Sequence, residues 1–591
     1  MSATSDQNSR RNFIVKSTSV ATAAAVSSAL VACGGSSSPV AEFKYGVASG
    51  DPLTDRVMLW AHAKIADSTA VVGLTWQVAT DAAFASIVKS GRVETSDATS
   101  FTAKVDVTGL TAGATYFYRF LDEAGTSSTV GTTRTLPAAN ASTVKFAVFS
   151  CALYSEGFFN TYDAAAKSDA QYAVHLGDYI YEYGADATKF GNTDAVALGR
   201  VTSPSTDIVT LSDYRARYAR YRSDPNLQAL HAKMPWITVW DDHEFANNAY
   251  VNGAENHKPA TQGDWNTRKA IAARVYHEWM PIRTPDAANL LKIYRSFDFG
   301  NLFTLHMLDT RIEGRDQQYD NFGDADGGVN RYLTGLKTGT DASRKMISAT
   351  QQNWLTSGMA ASKATWQFLG NQDIMARMWI PGSVLAAQGA NPPNPAAVQA
   401  AVSAYLTAKA TRAAAGAAAL TPTQAGLLNT TLNPTLPFNL DSWDGYPSNR
   451  EAILQTARAQ NKKLVALSGD SHNAWFTNLT TLAGVKVGVE FAGSSVTAPG
   501  FESAGLGALA SSLDGSALVP QLGATAAGAG LGLIDDLNYA DTIRRGYLLM
   551  TVTADAVKGE YVFMSTVKSQ TYTAAVGKTI SVAATGAVTY A

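Results

Sequence analysis

The sequence contains few cysteines and carries little net charge, and each of these features excludes a class of protein. Only Cys33 and Cys151 occur among the 591 residues, too few for a disulfide framework, and we expect both thiols to serve other chemistry. Charged residues make up 16% of the chain, the formal net charge is −2, and Lys and Arg form no long basic tract. Because binding to nucleic acid or to an acidic membrane surface requires clustered cations, neither is expected as the main partner.

Apolar and aromatic residues, by contrast, are plentiful. Hydrophobic residues make up 46% of the chain, with 11 Trp, 24 Tyr and 22 Phe, which is typical of an ordered globular protein. Because one hydrophobic core serves roughly 100–200 residues, this length predicts about two to four folding units.

The N-terminus has the pattern of an export signal. Residues 9–16 (SRRNFIVK) carry two adjacent arginines, a large apolar pair and a closing lysine, and a weakly apolar stretch follows at residues 20–31. That stretch is too short to span a bilayer, which takes about 20 apolar residues. The segment resembles a twin-arginine signal, a route that carries folded proteins. The alternative is an amphipathic first helix with a chance Arg-Arg pair.

Residues 30–35 (LVACGG) resemble a bacterial lipobox, in which the cysteine becomes the acylated first residue of the mature chain. This predicts a signal region at residues 1–33 and a flexible tether at residues 34–42. The protein would then be periplasmic or at the cell surface, held to a membrane by a lipid on Cys33. The alternative is ordinary cleavage near Ala32, with the cysteine a bystander.

Residues 43–136 are predicted to be an all-β domain. Short runs rich in strand-forming residues alternate with Gly and Asp clusters. Residues 110–120 (LTAGATYFYRF) resemble the corner and following strand of a fibronectin-type sandwich, in which a Tyr near the corner hydrogen-bonds back to the backbone.

Residues 137–591 are predicted to form a layered α/β domain, because apolar runs alternate with helical segments. The predicted helix passes through residues 164–166, and the predicted core strands are residues 144–149, 172–176, 236–240, 303–308, 366–369 and 464–467. The Ala-rich residues 381–437 are expected to be a partly helical insertion without chemistry of its own. Residues 505–532 are expected to be a loop, and alternating strands begin at Gly546.

Immediately after most of these strands, the sequence has residues that can bind metal. The five clusters are Ser150-Cys151, residues 177–183 (GDYIYEY), residues 241–244 (DDHE), residues 370–372 (GNQ) and residues 469–472 (GDSH). Each alone is typical of a turn, a cap or a surface salt bridge. Because ligand sites in open α/β sheets lie beyond the carboxyl ends of the strands, we expect the five to converge above one sheet.

The order of these clusters resembles the metallophosphoesterase superfamily, whose usual pattern is Asp-x-His, Gly-Asp, Gly-Asn-His-Asp/Glu, a lone His and Gly-His-x-His. Here Ser-Cys stands for the first motif, Asp-Asp-His-Glu for the third, Asn371 for the lone His and Gly-Asp-Ser-His for the last. These departures match the PhoD-like alkaline phosphatases, and the resemblance runs from about residue 43 to about residue 565. It implies a metallophosphoesterase-like β-sandwich flanked by helices, preceded by the all-β domain.

The donor set points to the metals. Thiolate from Cys151 and phenolate from Tyr181 suit a trivalent iron far better than magnesium or calcium, and Asp178 and His472 complete a plausible iron shell. A buried free thiol is the alternative for the cysteine.

The family resemblance implies this iron (Fe³⁺) and adds calcium (Ca²⁺) beside it. Asp178 would bridge the ions, while Asp242, Asn371 and Asp470 would offer the oxygen donors that calcium prefers. Four further residues of the motifs are expected to support the site rather than to bind metal: Tyr179, Glu182, Tyr183 and Asp241.

The chemistry that follows is hydrolysis of phosphate esters by a metal-activated water. By resemblance, His243 assists as an acid or hydrogen-bond donor at the leaving group. Arg311 either clamps phosphate oxygens or forms a structural ion pair. The expected substrates are external phosphomonoesters or phosphodiesters. The alternatives are a phospholipase D-like diesterase and a surface lipoprotein that binds phosphate or glycan without turnover.

Overall fold

The computed structural model describes residues 40–319, 335, 337–338, 342–389, 392, 394–503, 510, 513 and 531–591. The predicted export signal, Cys33, residues 34–39 of the predicted tether and most of the segment 505–532 lie outside the described residues. Within the described ranges, we find no helix with both the length and the apolar character that crossing a bilayer requires.

The N-terminal region is a sandwich of antiparallel strands, as the sequence predicts. Its strands are β1 (Ala41–Glu42), β2 (Val47–Gly50), β3 (Arg56–His62), β4 (Lys64–Ile65), β5 (Val72–Ala79), β6 (Ile87–Thr95), β7 (Thr102–Thr108), β8 (Thr115–Leu121) and β9 (Gly131–Arg134). One face has the order β2-β3-β7 and the other β6-β5-β8-β9. Buried side chains from both faces, including Leu59 and Phe120, share one core.

The predicted tyrosine corner is present. The hydroxyl of Tyr116, at the start of β8, accepts a hydrogen bond from the backbone N–H of Thr111 at 2.9 Å. This bond fixes the turn that leads into the strand.

The remaining strands build the second region. They are β10 (Val144–Phe149), β11 (Tyr172–His175), β12 (Trp236–Thr238), β13 (Arg295–Phe299), β14 (Phe303–Met307), β15 (Trp366–Gly370), β16 (Trp379–Pro381), β17 (Thr435–Pro437), β18 (Lys463–Ser468), β19 (Ala474–Thr480), β20 (Lys486–Ala492), β21 (Leu537–Asp541), β22 (Gly546–Val552), β23 (Ala556–Met564), β24 (Ala574–Ala583) and β25 (Val588–Tyr590). Each of the six predicted core strands is present.

Two large sheets organise these strands. Among the described residues, one sheet has ten strands in the order β25-β24-β23-β22-β10-β11-β12-β2-β3-β7, and the other has seven in the order β13-β14-β15-β18-β20-β19-β21. They pack against each other through aromatic side chains: the ring centroid of Phe146 lies 5.5 Å from that of Phe303 and 5.9 Å from that of Phe368. The predicted layered α/β fold is confirmed.

The first face of the N-terminal sandwich continues the ten-stranded sheet. Strand β2 pairs in parallel with β12 through Gly50 and Trp236. A Cβ atom at Gly50 would lie 2.3 Å from the carbonyl oxygen of Pro281 and 2.7 Å from that of Trp236, so only glycine fits this junction.

Helices flank the sheets at α1 (Asn160–Ala166), α2 (Leu211–Arg222), α3 (Pro225–Lys233), α4 (Pro259–Gln262), α5 (Trp265–Trp279), α6 (Ala349–Ala361), α7 (Gly382–Gln388), α8 (Pro395–Ala415), α9 (Pro422–Leu427) and α10 (Pro447–Ala459). Local sequence sets their starts: α2 begins with a capping box between Thr210 and Asp213, and α3 follows an Asp224 cap with proline in its first turn. Residues 381–437, predicted to be a partly helical insertion, contain α7, α8 and α9.

The strand ends that carry the polar clusters belong to both sheets, which corrects the expectation of a site above one sheet. Strands β10, β11 and β12 are neighbours in the ten-stranded sheet, whereas β15 and β18 are neighbours in the seven-stranded sheet. The two rims touch. Gln372 Nε2 donates to the carbonyl of Trp240 at 2.9 Å, and a Cβ on Gly469 would lie 2.6 Å from the Cβ of Ser150. Because the two sheets pack face to face, their loops meet at one shared edge.

Candidate metal centre

Three predicted iron ligands from distant parts of the chain converge at this edge. One ligand atom from each of Cys151, Asp178 and His472 lies within 4.8 Å of the other two. The hydroxyl of Tyr181 donates to Asp178 Oδ2 at 3.0 Å and lies 3.2 Å from Nε2 of His472. Cys151 is a free, fully buried thiol. The four donors are therefore close enough to share one cation.

Four candidate ligands have left-handed backbone conformations, which non-glycine residues rarely adopt. The φ angles are 60° at Cys151, 55° at Asp178, 54° at Asp470 and 59° at His472. Each such residue costs about 1–3 kcal/mol and persists only where its surroundings determine it. All four follow a strand within a few residues, so the strained turns direct their side chains into the same space.

The orientation of His472 is fixed by the backbone. Its Nδ1–H donates to the carbonyl of Pro499 at 2.8 Å, which leaves Nε2 on the side of Tyr181. Burial lowers the pKa of His472 to about 3, so the imidazole is neutral. A neutral ring held through one nitrogen is the usual arrangement of a metal-binding histidine.

A second group of predicted ligands lies beside the first. Oxygen atoms of Asp241, Asp242 and Asp470 lie within 4.8 Å of one another, and Asp178 and Asp242 form a similar group with His243. Asp242 accepts from the backbone N–H of Asn248 at 2.6 Å through Oδ2, whereas its buried Oδ1 has no hydrogen-bond partner. A buried carboxylate oxygen without a partner is costly, and a cation would satisfy it.

Asn371 lies against the end of β18 and is held by hydrogen bonds. Its Oδ1 accepts from the indole N–H of Trp443 at 2.8 Å, and its Nδ2 donates to Ser468 Oγ at 2.9 Å and to the carbonyl of Asp373 at 2.5 Å. An amide oxygen has two lone pairs, so one remains for a cation.

The charge balance of the cluster fits bound cations. Burial raises the pKa of Asp178 well above its usual value, and repulsion from Asp241, Asp242 and Glu244 adds to the effect. Arg311 and His243, whose pKa is raised to about 9, are cations that lie against these carboxylates. Two positive charges do not neutralise so many acids, whereas added cations would favour their ionised forms.

Glu244 joins two of the ligand loops through backbone hydrogen bonds, a role that the sequence did not reveal. Its carboxylate accepts from the N–H groups of Asp178 at 2.9 Å, Tyr179 at 2.5 Å and Asp241 at 2.7 Å. Burial raises the pKa of Glu244 to about 7, although these backbone donors oppose the shift. The residue stands in the DDHE cluster, but nothing in the spacing distinguished a brace from a ligand.

His243 is held through one ring nitrogen by a carboxylate. Its Nδ1 lies 2.6 Å from Oε2 of Glu182, whose Oε1 accepts from the N–H of Asn247 at 2.8 Å. Its ring packs on Tyr181 with centroids 4.1 Å apart. Burial opposes a charge on His243, but Asp242 and Glu182 outweigh it and raise the pKa to about 9. Glu182 therefore supports the site, as expected, by holding His243.

Arg311 is fully buried and surrounded by carboxylates. Its Nε donates to Asp241 at 2.6 Å, Nη2 to Asp470 at 2.7 Å and Nη1 to Asp441 at 3.0 Å. This geometry favours the structural ion pair over the phosphate clamp, because all three nitrogens already have acidic partners. Asp373 and Arg315 extend the same network and were not identified from the sequence.

Comparison with known proteins yields related sequences and structures. A family model described as PhoD-like phosphatase matches residues 146–561, and one described as PhoD-like phosphatase, N-terminal domain, matches residues 27–137. The chain is 33% identical over 479 residues to alkaline phosphatase D of Bacillus subtilis (strain 168), which covers 78% of this chain and 70% of that protein. The solved "Structure of PhoD" superposes with a TM-score of 0.70 at 28% identity, covering 95% of this chain and 93% of that one.

Proposed function

The chain belongs to the PhoD-like phosphatase family and is a phosphoester hydrolase, and from this premise we propose that it is an exported, metal-dependent phosphatase acting on phosphomonoesters or phosphodiesters. The observation that carries the metal dependence is the convergence of Cys151, Asp178 and His472 within 4.8 Å. Residues so far apart in the chain have no structural need to meet with their ligand atoms facing one another.

We propose iron(III) for the ion between Cys151, Asp178, Tyr181 and His472. Thiolate and phenolate are anionic donors that favour a trivalent ion. Both are buried, and burial raises the pKa of the thiol and of the phenol well above their usual values. A trivalent ion supplies the positive charge that such buried anions require.

Asp242, Asn371 and Asp470 would hold calcium beside it, and Asp178 would be available to both ions. The unpartnered Oδ1 of Asp242 and the second lone pair of Asn371 supply the oxygen donors that calcium prefers. Asn371 and Asp470 replace two histidines of the superfamily pattern, which exchanges nitrogen donors for oxygen donors.

When bound, such cations neutralise phosphate oxygens and lower the pKa of a water molecule. In the hydrolysis, the water oxygen forms a new bond to phosphorus while the ester P–O bond breaks, and the leaving oxygen takes up a proton. His243 is placed to hold that proton: Glu182 accepts from Nδ1, and Nε2 makes no hydrogen bond to any residue that the structure describes. The proton released by the attacking water then reprotonates His243.

Arg311 is proposed to act through its neighbours rather than on the substrate. By binding Asp241 and Asp470 at once, it fixes carboxylates from two different loops. It also offsets part of the repulsion between these carboxylates, so that their oxygen atoms are preorganised for binding cations.

Metal analysis and turnover by the purified mature protein test this proposal together. We expect iron and calcium in the protein, and hydrolysis of a phosphomonoester or a phosphodiester. Phosphatidylcholine is the third substrate to compare, because turnover of it alone would favour the phospholipase D-like alternative. A metal-replete protein that cleaves none of the three would overturn the proposal.

We further propose export by the twin-arginine route and attachment to a membrane by a lipid on Cys33, from the motifs at residues 9–16 and 30–35. The partners would be phosphate-ester small molecules and the anchoring membrane, with nucleic acid at most a substrate. Replacing Cys33 by Ser should release the active protein from the membrane fraction, and replacing Arg10 and Arg11 by Lys should keep it in the cytoplasm. Unchanged fractionation of both variants would contradict the assignment.

A further inference from the structure

A cavity of about 680 Å³ opens directly beside the candidate metal centre. His472 and Ser471 form its inner end, loop residues 188–194 form one wall, and Pro499–Phe501 line another. Because His472 belongs to both the cavity and the cluster of metal-binding donors, a phosphate ester bound at the cluster has this space for its leaving group.

Phe190 presents an aromatic face in this cavity. Its ring stacks on that of His472, with centroids 5.8 Å apart and planes 23° apart, yet 40% of the residue remains exposed. The loop is braced from within: the buried Asn192 donates to the carbonyls of Gly184 at 2.7 Å and Asp186 at 3.1 Å. The loop therefore holds a large apolar ring in solvent beside a ligand histidine.

The other wall adds a second aromatic group. The ring of Phe501 packs against Trp475 with centroids 5.5 Å apart and against Phe438 at 5.1 Å. These contacts keep Phe501 in place, so the cavity has a fixed apolar surface on this side as well.

The acidic side chains of the cavity are already paired. Lys568 Nζ lies 2.5 Å from Glu156 Oε1 and 2.9 Å from Asp194 Oδ2. Both carboxylates line the cavity, and their shared lysine offsets the repulsion that they would exert on a phosphate ester. Of the other side chains that line the cavity, Lys189 is basic, and Phe190 and Phe501 supply the aromatic surface.

We propose that Phe190 is a specificity-determining residue that binds flat, aromatic leaving groups by stacking, so that the enzyme prefers aryl phosphate esters to small alkyl ones. This rests on the proposed function, because it assigns the leaving-group side of the same site. An aromatic face binds a second ring better than an aliphatic chain of similar size, through offset stacking as well as apolar burial.

The test compares phenyl phosphate with methyl phosphate on the metal-replete enzyme. Phe190→Leu keeps an apolar side chain over His472 but removes the flat face. It should raise KM for phenyl phosphate about three- to tenfold, with kcat and all constants for methyl phosphate little changed. Phe190→Trp should restore the low KM. Val196→Ala is the matched control, since Val196 is exposed near the same loop and does not line the cavity.

Phenylphosphonate and methylphosphonate, which are not hydrolysed, provide a second readout as competitive inhibitors. Phe190→Leu should weaken inhibition by phenylphosphonate alone. If the variant changes the constants for both esters equally, or for neither, the aromatic subsite is wrong while the phosphatase assignment stands. If the wild-type enzyme cleaves neither ester, the proposed function itself has failed.

Discussion

Nδ1 of His243 lies 2.6 Å from the carboxylate of Glu182, which leaves Nε2 as the ring nitrogen without a hydrogen bond to any residue that the structure describes. The contact joins the end of the β11 loop to the first turn after β12, and both side chains are buried. A carboxylate in this position fixes the ring and favours its protonated form.

The first prediction concerns His243 itself. Replacing His243 by Ala should lower kcat at least roughly tenfold, because the leaving oxygen loses its proton donor. Metal content should stay the same, since no donor predicted to bind a cation is removed. Steady-state kinetics together with metal analysis check this, and unchanged turnover would remove His243 from the mechanism.

Glu182→Gln should lower kcat through His243 alone. The loss should be larger for an alkyl ester, whose leaving oxygen needs a proton more, than for an ester of an acidic phenol. In a double-mutant cycle, the Glu182→Gln/His243→Ala enzyme should be no slower than His243→Ala. Additive losses would mean that the two residues act separately. Glu94→Gln, at an exposed position on β6, is the control.

Tyr181 leads to a spectroscopic prediction. The purified protein should be coloured, because a tyrosinate bound to iron(III) absorbs visible light by charge transfer. Tyr181→Phe should lose this band. Tyr183→Phe, which changes the neighbouring ring, should keep it. A colourless, active protein loaded with zinc would contradict the iron assignment.

Substitution of Arg311 distinguishes a structural role of this side chain from a substrate-binding role. Replacing Arg311 by Met removes the cation that contacts Asp241 and Asp470, whereas Asp441 keeps its ion pair with Arg315. The loss should lower the free energy of unfolding by about 3–5 kcal/mol. Chemical denaturation measures this, and Arg311→Lys should recover part of it. A raised KM with unchanged stability would instead identify a phosphate clamp.

Two buried histidines make stability depend on pH. The ring of His175 stacks on Trp236 and lies 2.9 Å from the hydroxyl of Tyr162, and burial lowers its pKa to about 3; burial also lowers the pKa of His231, on the same tryptophan. The unfolded chain takes up these protons near pH 6.5, so stability is full above about pH 6.5 and falls on acidification. At about pH 5 the loss from His175 is about 2 kcal/mol, and His231 adds a loss of the same sign.

The measurement is the difference in pH dependence between variants. His175→Phe should be less stable at neutral pH, because Tyr162 loses its partner, but its stability should fall less steeply between about pH 6.5 and about pH 5. A slope identical to that of the wild type would show that His175 is not neutral in the folded protein.

The convergence of the candidate ligands could be predicted because most of them closely follow strands formed by nearly continuous apolar runs. Cys151 and Asp470 are examples: the strand predicts the loop, and the loop predicts the shared edge. That reasoning placed the shared edge of the candidate site above one sheet, because apolar runs alone do not show which sheet a strand joins. The packing of a second sheet against the first depends on contacts between segments that are far apart in the sequence.

The supporting residues escaped prediction for a related reason. Asp441 meets Arg311 across 130 positions of sequence, and Glu244 acts on backbone N–H groups rather than on other side chains. Phe190 lies in a loop whose hydrogen bonds are local, but its ring contacts His472 from the distant DSH turn. Such pairs depend on tertiary structure and have no short-range pattern.

The backbone pairing of Gly50 with Trp236 limits how this protein can be cut or recombined. Removal of residues 40–136 would leave β12 with an open edge, and open strand edges are templates for pairing with other chains. A graft of the phosphatase half from one relative onto the sandwich of another must bring a compatible glycine at this junction. The two regions are thus expected to pass through evolution as one inherited block rather than as modules that can be shuffled.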